Sequence, residues 1–206
     1  MASDPAPTYR PARPGEHEAA DALDNSFTTT TVLRVTADED GFRLHETPVS
    51  PPLRKVFPDE PDEPAGPAGP EGAELVVAEL DGEVRGAVTT VYESWNRRLV
   101  IADLRVAPGH RGRGIGRGLM DRALARGRAV GARTAWLEVS NVNAPAVRAY
   151  RRMGFTVCGL DTTLYTGTPA EGELALFMAR PLGPAAGAPP VTPVTGSGPV
   201  AGRPPR

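Results

Sequence analysis

Val106-Ala107-Pro108-Gly109-His110-Arg111-Gly112-Arg113-Gly114-Ile115-Gly116 is the stretch on which the reading of this chain turns. Glycines at alternate positions let a backbone come close to a ligand. A helix starting near residue 115 would add unpaired N–H groups at the positive end of its dipole. Together these features make an anion cradle between a strand and a helix. Two better-known phosphate loops fail here. The dinucleotide pattern G-x-G-x-x-G has Arg117 where Gly112-x-Gly114 needs its third glycine, and a Walker loop needs a lysine, of which there is none after Lys55. What remains is Arg111-x-x-Gly114-x-Gly116.

Working outward, residues 99–106 alternate polar and apolar with β-branched enrichment and read as a strand entering the cradle. Residues 115–130 leave it with helical periodicity: Leu119, Ala123 and Val130, flanked by Met120 and Leu124, face one way, and Arg117, Asp121 and Arg128 face the other. Upstream, residues 75–80 and 83–92 flank Asp81-Gly82, a strong hairpin signal. Residues 32–36 and 42–46 read as strands about the acidic turn Asp38-Glu39-Asp40-Gly41, and residues 14–24 as a short helix. Downstream, residues 134–139 are a strand. Asn143 can cap a helix with the stripe Ala146, Ala149, Tyr150 and Met153, closed by Gly154, and residues 155–158 and 174–178 are late strands. A β-meander followed by β-α-β-α-β predicts a mixed central sheet flanked by helices, of α/β or α+β type.

The 206 residues suit one ordinary domain with tails, since the 23 Pro and 23 Gly exceed what a packed core uses. Residues 1–8 read as a flexible N-terminus, 9–182 as the domain, 58–73 as a flexible Pro-rich acidic loop and 183–206 as a disordered Pro/Gly-rich tail. The single cysteine, Cys158, excludes a disulfide framework and a multi-thiolate metal site, and reads as a small core hydrophobe. No metal is expected, because His17, His45 and His110 have neither ligand nor triad spacing. Without a signal peptide or a membrane-length apolar run, the chain reads as soluble and cytoplasmic, with no membrane partner. Residues 1–74 carry 15 acids against 6 bases and the remainder 10 against 17, and eight arginines fall between Arg105 and Arg133 with Asp121 as the lone acid. That basic segment points to an anionic ligand.

With Arg111-x-x-Gly114-x-Gly116, Leu137-Glu138-Val139, Asn143 seven residues before Tyr150, and Ala149-Tyr150-Arg151-Arg152-Met153-Gly154-Phe155 in place, the sequence resembles the GCN5-related N-acetyltransferase superfamily. Ser26-Phe27-Thr28-Thr29, Pro51-Pro52-Leu53, Val56-Phe57-Pro58, Ser94-Trp95-Asn96-Arg97-Arg98 and residues 158–165 are similar to its streptothricin (nourseothricin) acetyltransferase group, over about residues 9–181. The resemblance implies an acetyl-CoA-dependent enzyme that inactivates a small cationic antibiotic by acetylating an amine of its β-lysine part, working as a monomer or homodimer.

The implied cofactor residues are Leu104, Arg105 and Val106 on the strand, Arg111, Gly112, Arg113, Gly114, Ile115 and Gly116 in the loop, and Asn143. Arg111 and Arg113 are also candidates for the CoA 3′-phosphate. A backbone N–H near 104–106 would polarise the acetyl carbonyl. An aromatic on an apolar helix stripe is usually core, but the resemblance makes the Tyr150 hydroxyl the acid for the departing thiolate. A lysine-like amine with a pKa of about 10.4 costs roughly 4 to 5 kcal/mol to deprotonate at neutral pH, so a carboxylate acting directly or through water would help. Glu138, on a strand beside Trp136, is either that base or half of a salt bridge, with Glu93 and Asp103 as further candidates. Glu93, Trp95, Asp161 and Tyr165 lie in the group-specific stretches and are the substrate-side candidates. Two other readings stay open: the same fold acting on a protein lysine or N-terminus, and a non-catalytic CoA- or nucleic-acid-binding module. Against nucleic acid stand the net charge of −2 and the absence of aromatics interleaved with the arginines.

Overall fold

In the computed structural model, which describes residues 6–39, 41–57 and 72–183, the first half runs β1 (Thr8–Pro11), α1 (Glu16–Asp21), β2 (Phe27–Asp38), β3 (Gly41–Lys55), β4 (Ala73–Leu80) and β5 (Glu83–Glu93). It continues β6 (Arg98–Val106), α2 (Ile115–Ala129), β7 (Thr134–Ser140), α3 (Ala144–Arg152), β8 (Thr156–Asp161) and β9 (Ala175–Pro181). Seven strands form one mixed sheet in the order β1-β4-β5-β6-β7-β9-β8, with the β6–β7 pair parallel, and β2 and β3 form a separate hairpin.

Strand alternation sorts the core onto two faces. Val77 and Ala87, paired across β4 and β5, pack with Ala20 of α1 on one face. Ala78, Val88, Leu99 and Ile101 join Ile115, Leu119, Met120, Ala123 and Leu124 of α2 on the other. Helix α2 approaches closely because Gly86 stands beneath it. A Cβ there would lie 3.0 Å from Ile115 Cγ2 and Leu119 Cδ1 and 3.1 Å from the Arg105 carbonyl oxygen.

The hairpin of β2 and β3 is much longer than the two short strands the sequence suggests, because its ladder tolerates the prolines of β3. Pairing jumps from Thr29↔Leu53 to Thr31↔Pro48, which leaves Pro51 and Pro52 in the break, where no ladder N–H is required. Polar links tie this hairpin to the domain. Leu33 N–H donates to the Asn141 carbonyl (2.8 Å) while Asn141 Nδ2 donates back to the Leu33 carbonyl (2.9 Å). Arg148 donates from Nη2 to Glu46 (2.7 Å) and to the Thr31 hydroxyl (2.6 Å). At the base of the hairpin, Lys55 and Glu173 form an ion pair.

Three expectations change. The sheet already begins at Thr8, because residues 8–11 pair with β4, so the N-terminal segment up to residue 8 is not wholly flexible. Strand β4 begins at Ala73, which trims the expected loop. Cys158 is exposed rather than core, because it sits at the register break between Val157 and Gly159 on the edge strand β8. The other expectations for the termini and the Pro-rich loop fall on residues 1–5, 58–71 and 184–206, outside the described residues. Among the described residues no helix is long and apolar enough to cross a membrane, and no group of three His, Cys, Asp or Glu could hold a metal ion. Replacing Gly86 by Val should cost about 1–3 kcal/mol by overpacking against α2 and the Arg105 carbonyl. Urea unfolding would measure it, and an unchanged midpoint would contradict the close contact.

Candidate active site

Strands β6 and β7 pair only from Arg98↔Thr134 to Val100↔Trp136 and then part, although β6 runs on to Val106 and β7 to Ser140. Beyond that point β6 has no ladder partner on the β7 side, and apart from the Val106 carbonyl, which accepts from Arg111 Nε (2.8 Å), its backbone groups there are left for a ligand. A bulge shapes the same stretch: Thr89 pairs with Asp103 but Thr90 pairs with Ile101, so Ala102 is skipped. The skip reverses the alternation. Leu99 and Ile101 point at α2 before it. After it Leu104 and Val106, opposite Val88 and Gly86, take that face, and Asp103 and Arg105 turn to the face of α1.

On the α2 and α3 side the gap opens into a slot of about 220 Å³, lined by Leu104, Val106, Gly116, Asn143 and Tyr150 among others. At its mouth Gly114 caps α2 with φ +88° and no side-chain cap, and Gly112 has φ +77°. The first helical bond runs from Gly118 N–H to the Gly114 carbonyl, so the amides of Ile115, Gly116 and Arg117 have no carbonyl one turn back. A Cβ on either glycine would meet nothing within 4 Å, so open space lies beside this set of backbone donors. Such a donor set fits a phosphate, and hence the pyrophosphate of a CoA thioester. Ile115 contributes only its backbone, because its side chain is buried under Gly86.

Helix α3 delivers Tyr150. Asn143 caps it by accepting from Ala146 N–H (3.2 Å). At the other end Phe155 N–H donates to the Tyr150 carbonyl (3.0 Å) and Gly154 N–H to the Arg151 carbonyl (3.0 Å), with Gly154 at φ +86°. This double turn brings Phe155 back onto Tyr150, ring centroids 6.1 Å apart. The Tyr150 hydroxyl is held well above its ordinary pKa, first by burial and then by the charges of Asp103 and Glu138. It therefore stays protonated, between the slot and two carboxylates.

Glu138 shares the face of β7 turned away from α2 with Trp136 and Ser140, while Ala135, Leu137 and Val139 are buried on the other face. Burial raises its pKa and the nearby Glu173 adds to that, while the hydroxyl of Tyr165 donates to Glu138 and opposes the rise. Asp103 is raised by burial against the opposing pull of Arg105, whose Nε donates to it at 2.5 Å.

The structure places other sequence candidates differently. Arg111 lines the slot, but its guanidinium donates to three backbone carbonyls, those of Val106 (2.8 Å), Ser26 (2.5 Å) and Asp24 (2.6 Å), so the expected anion ligand is engaged elsewhere. Arg105 is likewise engaged, by Asp103 and by the Asp21 carbonyl (2.6 Å). Asp161 does not meet the cluster. Its Oδ1 accepts from Thr163 N–H (2.7 Å) and Leu164 N–H (3.0 Å), forming the turn that leads to Tyr165. Glu93 accepts from Asn96 (2.7 Å), and Trp95 is 85% exposed in the turn between β5 and β6. That turn precedes Arg98 at the far end of β6, about 26 Å from Val106 at ~3.3 Å per residue, so neither residue joins the slot. Sequence reasoning missed Glu173, Asn141 and the slot residues Asn25 and Phe27. Lys55, the lone lysine among arginines, was the available signal for the Glu173 pair.

Residues 43–155 match the model of the acetyltransferase (GNAT) family. The streptothricin acetyltransferase of Streptomyces lavendulae is 52% identical over 177 residues, 84% of this chain and 94% of that one. The crystal structure of a nourseothricin acetyltransferase superposes with a TM-score of 0.78 at 54% identity, covering 87% of this chain and all of that one. A Bacillus anthracis protein solved in complex with acetyl coenzyme A shares the fold, with a TM-score of 0.70 at 21% identity over 84% of this chain and 98% of that one. A sheet parted between β6 and β7, a glycine-capped helix at the gap and agreement with these relatives over most of the chain together show that it belongs to the acetyltransferase (GNAT) family.

Proposed function

We propose that this chain is an acetyl-CoA-dependent N-acetyltransferase that inactivates streptothricin-type antibiotics by acetylating an amine of their β-lysine part. The observation that carries the chemistry is the Tyr150 phenol, kept protonated at the slot by burial and by Asp103 and Glu138. The substrate class rests on the two relatives more than half identical to this chain, both acetyltransferases of this antibiotic type by name. A polycationic acceptor also suits a face that carries Asp103, Glu138 and Glu173.

The backbone amides of residues 112–117 would hold the pyrophosphate, and the unpaired edge of β6 at 104–106 the arm that follows. Bound there, acetyl-CoA supplies an activated acetyl thioester. The chain's own groups then handle the protons. Glu138 takes the first proton from the acceptor ammonium, and its raised pKa narrows the gap to that ammonium. The nitrogen–carbon bond forms as the carbon–sulfur bond breaks, and Tyr150 gives its phenolic proton to the leaving sulfur. The second proton shed by nitrogen restores the phenol, and the first leaves Glu138 for solvent.

Expression in a sensitive host should confer streptothricin resistance. Tyr150→Phe, which keeps the ring on Phe155, should lower kcat roughly 10²-fold with little change in Tm and abolish that resistance. A kcat near wild type would assign the thiolate's proton to another group. The acid limb of kcat should lie above the ordinary carboxylate range, because Glu138 must be ionised and its pKa is raised. Tyr165→Phe removes the hydrogen bond that lowers that pKa, so the limb should move to higher pH. A stationary limb in the kcat–pH profile would remove Glu138 from the role of base.

A further inference from the structure

The face that carries Asp103, Glu138 and Glu173 shares out its cations unevenly. Arg105 Nε donates to Asp103 (2.5 Å), and Lys55, at the end of β3, is bonded to Glu173. Among the described residues no cation is bonded to Glu138, whose hydrogen-bond partner is the Tyr165 hydroxyl. Glu173 is nonetheless its close neighbour. The Ser140 hydroxyl donates to Glu173 Oε2 while Lys55 holds Oε1. Ser140 stands two residues beyond Glu138 on the same face of β7, about 6.6 Å away at ~3.3 Å per residue. Two carboxylates so placed oppose each other's ionisation unless a cation answers one of them. Lys55 and Glu173 each keep only 14% of their side chain exposed, so solvent screens the pair weakly. The other charged and titratable groups of this region are Tyr165, between β8 and β9, Tyr150 of α3, whose hydroxyl feels both Asp103 and Glu138, and Arg98 of β6. Arg98 lies over the Trp136 ring (5.1 Å) and acts on Cys158 of β8. None of these is bonded to Glu173.

We propose that Lys55 is a positioning residue for proton transfer: bonded to Glu173, it offsets the like charge that would otherwise oppose ionisation of Glu138, so that Glu138 can serve as the base beside a second carboxylate. The inference rests on the acetyltransferase reading above, in which Glu138 takes a proton from the acceptor. Lys55 acts through Glu173 rather than on Glu138 itself. The charges that raise Glu138 include Glu173, and no cation stands against them there. Removing the ammonium exposes Glu138 to an unanswered negative charge, which raises its pKa further and moves the acid limb of kcat to higher pH. Removing Glu173 instead leaves the ammonium unanswered and moves the limb to lower pH. With both charges gone, the effect of Lys55 on Glu138 goes as well. A tie that merely fastened the hairpin base would not depend on the charge at position 173 in this way.

The test compares Lys55→Met, Lys55→Arg, Glu173→Gln and the double variant Lys55→Met/Glu173→Gln in the full chain. It measures the kcat–pH profile with streptothricin and, without substrate, the carboxyl NMR titration of Glu138, whose signal is the one missing from Glu138→Gln. Lys55→Met should raise both the titration midpoint and the acid limb by about 0.5 to 1 pH unit. Lys55→Arg keeps the charge and should leave both where they are in the wild type. Glu173→Gln should lower both, and adding Lys55→Met to it should move them far less than Lys55→Met does alone. An unchanged midpoint in Lys55→Met would overturn the proposal, and so would an equal rise in both backgrounds, which would make the pair a hairpin fastening only. Should Lys55→Met fail to fold, Lys55→Gln, which can still donate to Glu173 without a charge, carries the same comparison. A midpoint that moves while the kcat limb stays fixed would overturn Glu138 as the base, and with it the role of Lys55 in the reaction. If the wild type leaves streptothricin unmodified, the functional reading fails, while the titration alone still decides whether Lys55 holds the charge of Glu173 off Glu138.

Discussion

The parting of β6 from β7 after three paired residues is the constraint on which the rest depends. Parallel strands in the middle of a sheet normally exchange backbone hydrogen bonds along their shared length, and an unpaired buried edge is costly. Here two features support it. The bulge at Ala102 redirects β6 so that Leu104 and Val106 enter the slot while Asp103 crosses to the acidic face. Pairing of β7 with β9 over all seven of its residues holds the other strand without help from β6. The gap is therefore a built feature of the sheet, and both the glycine-capped start of α2 and the Tyr150 helix are directed at it.

Around that gap the chain uses polar ties where small apolar contacts would give too little orientation. Asn141 satisfies four backbone groups at once: those of Leu33 with its own carbonyl and Nδ2, and those of Leu174 with its own N–H and Oδ1. It joins the hairpin, the end of β7 and the start of β9. Arg148 joins the hairpin to α3, and the Lys55–Glu173 pair fastens the hairpin base beside Glu138. Each such tie contributes only about 0.5–1.5 kcal/mol net, more where a charge takes part, so their main effect is on position rather than on stability. Position matters here, because proton transfer is sensitive to small displacements.

Much of this was legible in the sequence, for physical reasons that differ by element. The switch from period 2 to period 3.6 across residues 106–115 placed the strand, cradle and helix α2, since burial on one face imposes each period. Asn143 and Gly154 marked both ends of α3, and with them the position of Tyr150. The hairpin arm was only partly visible, because the Thr-rich β2 and the Pro-rich β3 lack the alternation that a buried sheet would impose. The bulge at Ala102 was invisible, since a single skipped residue leaves no compositional mark. So was the engagement of Arg111: the motif shows which residue stands there, but its partners Asp24 and Ser26 lie more than 80 residues away. Trp95 and Glu93 showed the converse. They belong to a stretch similar to the streptothricin group, yet the strand length carries them to the far end of β6.

The most direct test of the central claim is mass spectrometry of streptothricin after incubation with the purified chain and acetyl-CoA, with fragmentation to locate the modification. The account predicts one acetyl group on an amine of the β-lysine part, formed only when acetyl-CoA is present. Unmodified streptothricin, or an acetyl group outside the β-lysine part, would contradict it.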